Sequence, residues 1–285
     1  MNTSKIGMID PVEFDKTVSK LREFFKSKNF VEVHPQSRLS ILAACEDPST
    51  ISTYNYNGRV WPLPQTGQMW LEYEMLTKPD AAPGYFCVST SYRNEPNPVE
   101  GRHDKIFPMF EFELKGNMED LITLEKELLV HLGFKTPTGD TNYPRNRYEN
   151  VATEYNVKEL EHEHETRLEV DHGSVFFLTD FPNYTSPFWN MKQSGVDDTA
   201  KKVDVIIHGI ETIGSAERSI DSQQMRHYFD TISDGGYANI LYSTFGRERV
   251  EDELNTFLQH NFFERSGGGI GITRMIRALK MSDLL

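Results

Sequence analysis

Residues 91–113 read SYRNEPNPVEGRHDKIFPMFEFE, and the reading of the rest of the chain turns on this stretch. Its start closes a run from Gly84 to Tyr92 that is rich in aromatic and β-branched residues, and Ile106 to Leu114 alternates with the period of two of a strand. Two prolines and a glycine lie between them, so the pattern is strand, polar loop, strand. Arg93, Arg102, His103 and Lys105 gather positive charge in a chain whose 43 acidic residues outnumber 30 basic ones, for a formal net charge of −13. An arginine fork holds phosphate oxygens in two directions, and Phe107 on the returning strand offers a flat face to a purine. Taken alone, the same residues also fit a hairpin whose charges face water.

Outward from this hairpin, residues 11–29 place Phe14, Val18, Leu21, Phe24 and Phe25 at helical spacing behind an Asp10-Pro11 start signal. Phe30 to Pro35 then reads as a strand ending at a turn. A second helix is predicted over 118–132, closed by Gly133, and further strands over 175–180, 202–207 and 237–242. Strands and helices without a regular βαβ alternation point to an α+β domain, an antiparallel sheet flanked by helices. One domain over 1–285 is expected, with 136–150 as a surface loop. No run reaches the ~18 to 20 apolar residues of a membrane span, and the opening segment has no signal-peptide core, so a cytoplasmic protein is expected. Cys45 and Cys87 stand in no metal-ligand spacing and read as ordinary buried residues. The acidic balance disfavours a nucleic-acid partner and requires local arginines for any anionic substrate.

Two further constellations carry chemistry. Asp204, Glu211 and Arg218 recur at intervals of seven, and the two acids on neighbouring strands can converge on a divalent cation such as Mg²⁺, which takes hard oxygen ligands and bridges phosphates. The run Gly267-Gly268-Gly269-Ile270-Gly271 precedes Arg274 and a helical pattern; glycines let backbone approach a ligand, and the arginine can reach a terminal phosphate. Each fits a surface strand or a turn equally well in isolation. The run Glu161-His162-Glu163-His164-Glu165 alternates where a helix would need three- or four-residue spacing to make a metal face, so it reads as a solvated helix start.

In this order the pieces resemble the three signature motifs of class II aminoacyl-tRNA synthetases, the aspartate, asparagine and lysine branch in particular. The resemblance implies a class II synthetase-type antiparallel sheet and a homodimer formed through the helix–strand unit ending at Pro35. It implies that Arg93 and Arg274 are catalytic and, with Glu95, Arg102, His103, Phe107, Gly269 and Gly271, bind ATP. Thr66 and Gln68, in Leu63-Pro-Gln-Thr-Gly-Gln68, resemble the loop that binds the substrate amino group; Arg218 would meet the side chain, and Asp204 and Glu211 would serve Mg²⁺–ATP. The aspartyl enzymes carry a lysine where this chain has Leu71, as in the asparaginyl branch, and their anticodon-binding domain has no counterpart here. A glutamate near residues 161–165 resembles one that helps bind ATP. The glycine run, ending Thr273-Arg274, is similar to ammonia-dependent asparagine synthetases.

The resemblance implies an AMP-forming ligase that activates a small acidic amino acid, aspartate first, as an acyl-adenylate and passes it to an amine, ammonia first. Its expected partners are the amino acid, ATP and the amine, with tRNA disfavoured by the charge. Two alternatives stand beside it: a shortened synthetase relative acylating RNA or protein, and a non-catalytic regulatory paralogue binding an amino acid.

Overall fold

The computed structural model describes residues 9–35, 38–44, 48–96, 98 and 104–285. Helix α1 (Pro11–Ser27) begins where Asp10 accepts hydrogen bonds from the Val12 and Glu13 amides, the local reason its first turn forms. Then follow β1 (Val31–Glu32), the hairpin β2 (Thr53–Tyr56) and β3 (Arg59–Pro62), α2 (Gln68–Thr77), β4 (Gly84–Tyr92), β5 (Ile106–Lys115) and α3 (Met118–Leu132). The second half holds β6 (Arg145–Arg147), α4 (Tyr148–Glu154), α5 (His162–His172), β7 (Val175–Pro182), β8 (Thr199–Ile207) and β9 (Ile210–Glu217). Helices α6 (Ser222–Thr231), α7 (Gly236–Phe245) and α8 (Arg247–Leu258) precede β10 (Arg265–Gly271) and α9 (Ile272–Met281).

Eight strands form one sheet in the order β1-β4-β5-β10-β9-β8-β7-β6. Only the edge pairs β1–β4 and β6–β7 are parallel. The expected α+β class, an antiparallel sheet flanked by helices, is the fold observed. On one face Phe110, Phe112, Ile270, Ile213, Val203 and Val205 form a core with α1, α3 and α9. The other face carries the alternate residues, among them Glu111, Glu113, Gly269 and Asp204, and is where the site is built.

The helix–strand unit ending at Pro35 was the expected dimer surface, with the Phe14–Leu21–Phe25 stripe of α1 as its helical part. Leu21 and Phe25 are fully buried, and the Phe25 ring packs edge-on or tilted against Phe30, Phe86, Phe110 and Phe112, so the stripe is spent on this chain's own core. Residues 237–242 are helical, not a strand. Their tyrosines and isoleucine carry strand propensity, yet Tyr237, Ala238, Leu241 and Phe245 are buried at helical spacing in α7, and packing overrides the local preference. The loop expected over 136–150 holds β6 and the start of α4, with Tyr143 buried in the core. Cys87 is buried, which raises its thiol pKa, and Cys45 lies outside the described residues. No described helix is long and apolar enough to cross a membrane.

Helix α3 buries one carboxyl in this core. Glu125 is fully buried, and burial pushes its pKa from an ordinary value of 4.5 up to about 8, eased by the Ser215 hydroxyl and reinforced by Asp204 across the sheet. The unfolded chain releases this proton near its ordinary value while the folded chain keeps it, so the native state binds more protons between those limits. Stability is therefore highest at low pH and falls as pH rises through that window, by at most about 1.4 kcal/mol per pH unit for this group. Glu125→Gln removes the titration. Its melting temperature should gain on that of the wild type between pH 5 and pH 8, roughly the window of the shift; parallel curves in thermal denaturation would refute the assignment.

Candidate active site

A cavity of about 700 Å³ opens on the second face of the sheet. Thr66, Gln68, Arg93, Glu95, Phe107, Asp204, Glu211, Arg218, Gly269, Gly271 and Arg274 all line it. These eleven of the thirteen residues singled out from sequence come from six separate segments. The other two, Arg102 and His103, lie outside the described residues.

The loop before α2 is fixed from below by β5. Glu111, almost fully buried, accepts from the Gly67 amide at 2.6 Å and from the hydroxyls of Thr66 and Ser89. An alanine at Gly67 would place its Cβ 2.6 Å from the same carboxylate, so the turn and the acid require each other. Gln68 donates to Glu113, the next inward-facing acid of β5. On the neighbouring wall the guanidinium of Arg93 lies 5.7 Å from the Phe107 ring centroid, within cation–π range.

Glycines in β10 let the floor sit low. A Cβ at Gly269 would come 2.6 Å from the Met109 methyl, and one at Gly267 2.3 Å from the Phe112 carbonyl. At the end of this strand Arg274 donates to the Glu211 carbonyl at 2.7 Å and stands 3.8 Å from its carboxylate. Asp204 and Glu211 converge over Gly214: a Cβ built there would lie 2.6 Å from Glu211 Oε1 and 3.7 Å from Asp204 Oδ1. Burial pushes the Asp204 carboxyl up to about 8; Lys202, 2.8 Å away, works against this and Glu211 adds to it. Asp204 Oδ1 is buried without a hydrogen-bond partner. Two converging carboxylates with an open buried oxygen fit a divalent cation that takes its remaining ligands from phosphate and water. No cluster of three or more metal-ligating side chains occurs among the described residues.

At the far end Arg218 is only 4% exposed. Its guanidinium donates to Glu113 at 2.9 Å and to the Gly267 carbonyl at 3.1 Å, and lies 3.8 Å from Glu72. Behind it the fully buried Arg265 donates twice to Glu72, at 3.1 and 2.7 Å. Burial pushes the Glu113 carboxyl up to about 7 while Arg218 pulls it down. Sequence reading missed Glu72, Arg265 and the role of Glu113, because their pairing joins segments far apart in the chain. Leu71 is fully buried against Met75, Tyr85 and Cys87. Among residues 161–165, Glu165 lines the cavity and accepts from the Glu211 amide at 3.4 Å; the run opens α5, as its spacing predicted.

The family model described as tRNA synthetases class II (D, K and N) matches residues 13–283. An aspartate–tRNA(Asp/Asn) ligase of Methanopyrus kandleri is 22% identical over 279 residues, covering 81% of this chain and 63% of the relative. Among solved structures, asparaginyl-tRNA synthetase from Pyrococcus horikoshii complexed with asparaginyl-adenylate matches with a TM-score of 0.77 at 18% identity, over 95% of this chain and 65% of that one. Asparaginyl-tRNA synthetase of Entamoeba histolytica in complex with asparaginyl-adenylate gives a TM-score of 0.75 at 17% identity, over 95% and 64% of the two chains. The chain thus spans a little under two thirds of the length of these relatives. With a family model covering nearly all of its residues, the chain belongs to the class II tRNA synthetases of the D, K and N branch.

Proposed function

We propose that the chain activates asparagine, or aspartate under more acidic conditions, as an aminoacyl-adenylate at the expense of ATP. The observation that carries this reading is Arg218 at the closed end of the cavity, its charge already answered by Glu113. Asparagine extends the sequence-based expectation of aspartate. Arg218 and Arg265 face Glu72 and Glu113, so the buried charges balance when Glu113 is ionised, and a substrate carboxylate would be left without its own cation. A carboxamide adds no charge, and Glu113 Oε2, which has no hydrogen-bond partner, is an acceptor that an amide N–H can satisfy. Protonation of Glu113 frees Arg218 for a carboxylate.

The remaining roles follow from position. With the side chain toward Arg218 and the amino group toward Thr66 and Gln68, the α-carboxylate faces Arg93, which steadies the α-phosphate it attacks. Phe107 stacks on the adenine with Glu95 at its edge, Gly269 and Gly271 let the nucleotide lie close to β10, and Arg274 holds the terminal phosphate. Arg102 and His103, which lie outside the described residues, are assigned to ATP binding from their sequence motif alone. Asp204 and Glu211 would hold Mg²⁺, which supplies charge neutralisation of the phosphates, and Glu165 keeps Glu211 in place. No protein nucleophile is needed, because positioning and electrostatics carry transfer of this kind.

The acceptor expected first from sequence was ammonia, which with an activated β-carboxylate of aspartate would give asparagine. The relatives are tRNA ligases by name, so the acidic net charge does not disfavour tRNA here, and RNA stands beside ammonia as acceptor. A homodimer remains part of the proposal, but through surfaces other than the buried stripe of α1.

Amino-acid-dependent ATP–pyrophosphate exchange tests the activation step, with AMP release in the presence of ammonium or tRNA identifying the acceptor. Asparagine should support exchange at pH 8. The aspartate-to-asparagine ratio of kcat/KM should rise as pH falls through about 7, by at most about tenfold per pH unit. No exchange with either amino acid, or a ratio independent of pH, would overturn the reading. Separately, Phe107→Ala should weaken ATP binding by about 1 to 3 kcal/mol through lost stacking and burial. Unchanged ATP affinity by calorimetry would remove Phe107 from the adenine site.

A further inference from the structure

A second cavity, of about 320 Å³, lies between α2, α8, the β2–β3 hairpin and residues 38–42, and shares Met69 with the large one. Its size is at the low end for small-molecule sites, about 300 to 1,000 Å³. Three arginines line it in a chain with an excess of acid. The guanidinium of Arg38 lies 3.6 Å from the Tyr73 ring centroid, and that of Arg249 lies 4.6 Å from the Trp61 centroid. A guanidinium stacked on a ring keeps its in-plane N–H edge for an anion. Arg249 spends Nη1 on the carbonyls of Val60 and Phe245, at 3.1 Å each, while its Nη2 is buried without a hydrogen-bond partner. Arg59 on the hairpin is exposed and makes no ion pair among the described residues.

Two of the three acids nearby are held by other groups. Glu253 accepts from the Ser40 hydroxyl and from the amides of Ile41 at 2.8 Å and Leu42 at 3.3 Å, so its carboxylate fastens the 38–42 wall to α8. Glu74 stands 3.5 Å from Arg38 and answers that one cation. Arg59 and Arg249 make no ion pair among the described residues and line the cavity with Asp252, Glu253, Trp61 and Tyr73.

We propose that this cavity is a second nucleotide site, taking one nucleoside phosphate as a free mononucleotide or as the end nucleotide of an RNA strand. The phosphate meets the edges of Arg59 and Arg249, and the base packs against Trp61, Tyr73 and Met69. Charge and flat apolar surface within one nucleotide's reach select this ligand over an inorganic anion, which needs no aromatic wall, and over an apolar ligand, which would strand the arginines. The site is independent of which amino acid is activated.

The test compares full-length wild type, Arg59→Glu and Phe107→Ala for binding of labelled AMP and of a short single-stranded RNA. Arg59 is exposed and outside the ATP cavity, so its variant should keep the melting temperature and the KM for ATP in pyrophosphate exchange. Arg59→Glu should weaken one of the two ligands by about tenfold or more and flatten the dependence of that binding on salt, while Phe107→Ala leaves that binding unchanged. Loss confined to the RNA identifies an RNA terminus, and loss of an AMP-binding component identifies a free nucleotide; either supports the site. Asp252→Lys, another exposed change, should tighten the same ligand. Wild-type affinity for both ligands in both charge variants, or loss only in Phe107→Ala, would overturn the proposal whether or not adenylate formation is found.

Discussion

The buried quartet of Glu72, Glu113, Arg218 and Arg265 is the constraint on which the rest of the site depends. All four are at most 4% exposed, and an isolated ion moved from water into such a place costs several kcal/mol. None can remain charged there without the others. Glu72 comes from α2, Glu113 from β5, Arg265 from β10 and Arg218 from the segment following β9, so the ion pairs lock three strands and a helix in one register. Removing one member leaves an uncompensated charge, a loss of about 3 to 5 kcal/mol, which is why pairing specifies this arrangement more than it stabilises it. Asn190 donates to Glu72 at 2.6 Å and closes the network from the chain entering β8.

That register determines what each face of the sheet does. In β5 the alternation Phe110-Glu111-Phe112-Glu113-Leu114 resembles a half-solvated strand, yet both faces are buried: the phenylalanines enter the helix-lined core, and the acids organise the cavity. Glu111 holds the Thr66–Gln68 loop, Glu113 holds Arg218, and the two lie one strand repeat apart. The facing strand β10 must then be thin. At Gly268, turned to the opposite face, a Cβ would approach the Ser215 Cβ to 2.4 Å, so glycine is required on both sides by crowding, with no unusual backbone angle involved.

Legibility in the sequence followed the range of the interactions. Helices α1 and α3 were readable because their apolar spacing and caps are local, and Asn117 and Asp120 form the capping box that starts α3. The strands β4, β5 and β7 were readable from composition. The glycine run looked like a turn because glycine has low strand propensity, and only its neighbours on β5 and β9 make it the centre of a sheet. Arg93, Arg218 and Arg274 could be singled out because their spacing matches a family pattern. Their partners could not: Glu72 and Arg265 are separated by 193 positions, and no periodicity connects them.

The charge of the large cavity carries the argument one step further. Among the described lining residues, Glu95, Asp104, Glu111, Glu159, Glu165, Asp204 and Glu211 are acidic and Arg93, Lys202, Arg218 and Arg274 are basic, seven against four. A nucleotide with a polyanionic tail does not enter such a field unaccompanied. Glu111 is held by three hydrogen bonds and Arg218 is paired with Glu113, which leaves Asp204, Glu211 and Glu165 as the cluster of carboxyl groups beside Arg274. On the proposed reading this excess is functional: it rejects a free polyphosphate and accepts one that brings its own divalent cation. Within that cluster Lys202 pairs with Asp204 at 2.8 Å and Arg274 stands 3.8 Å from Glu211, so each of these two acids has a cation beside it on the cavity wall.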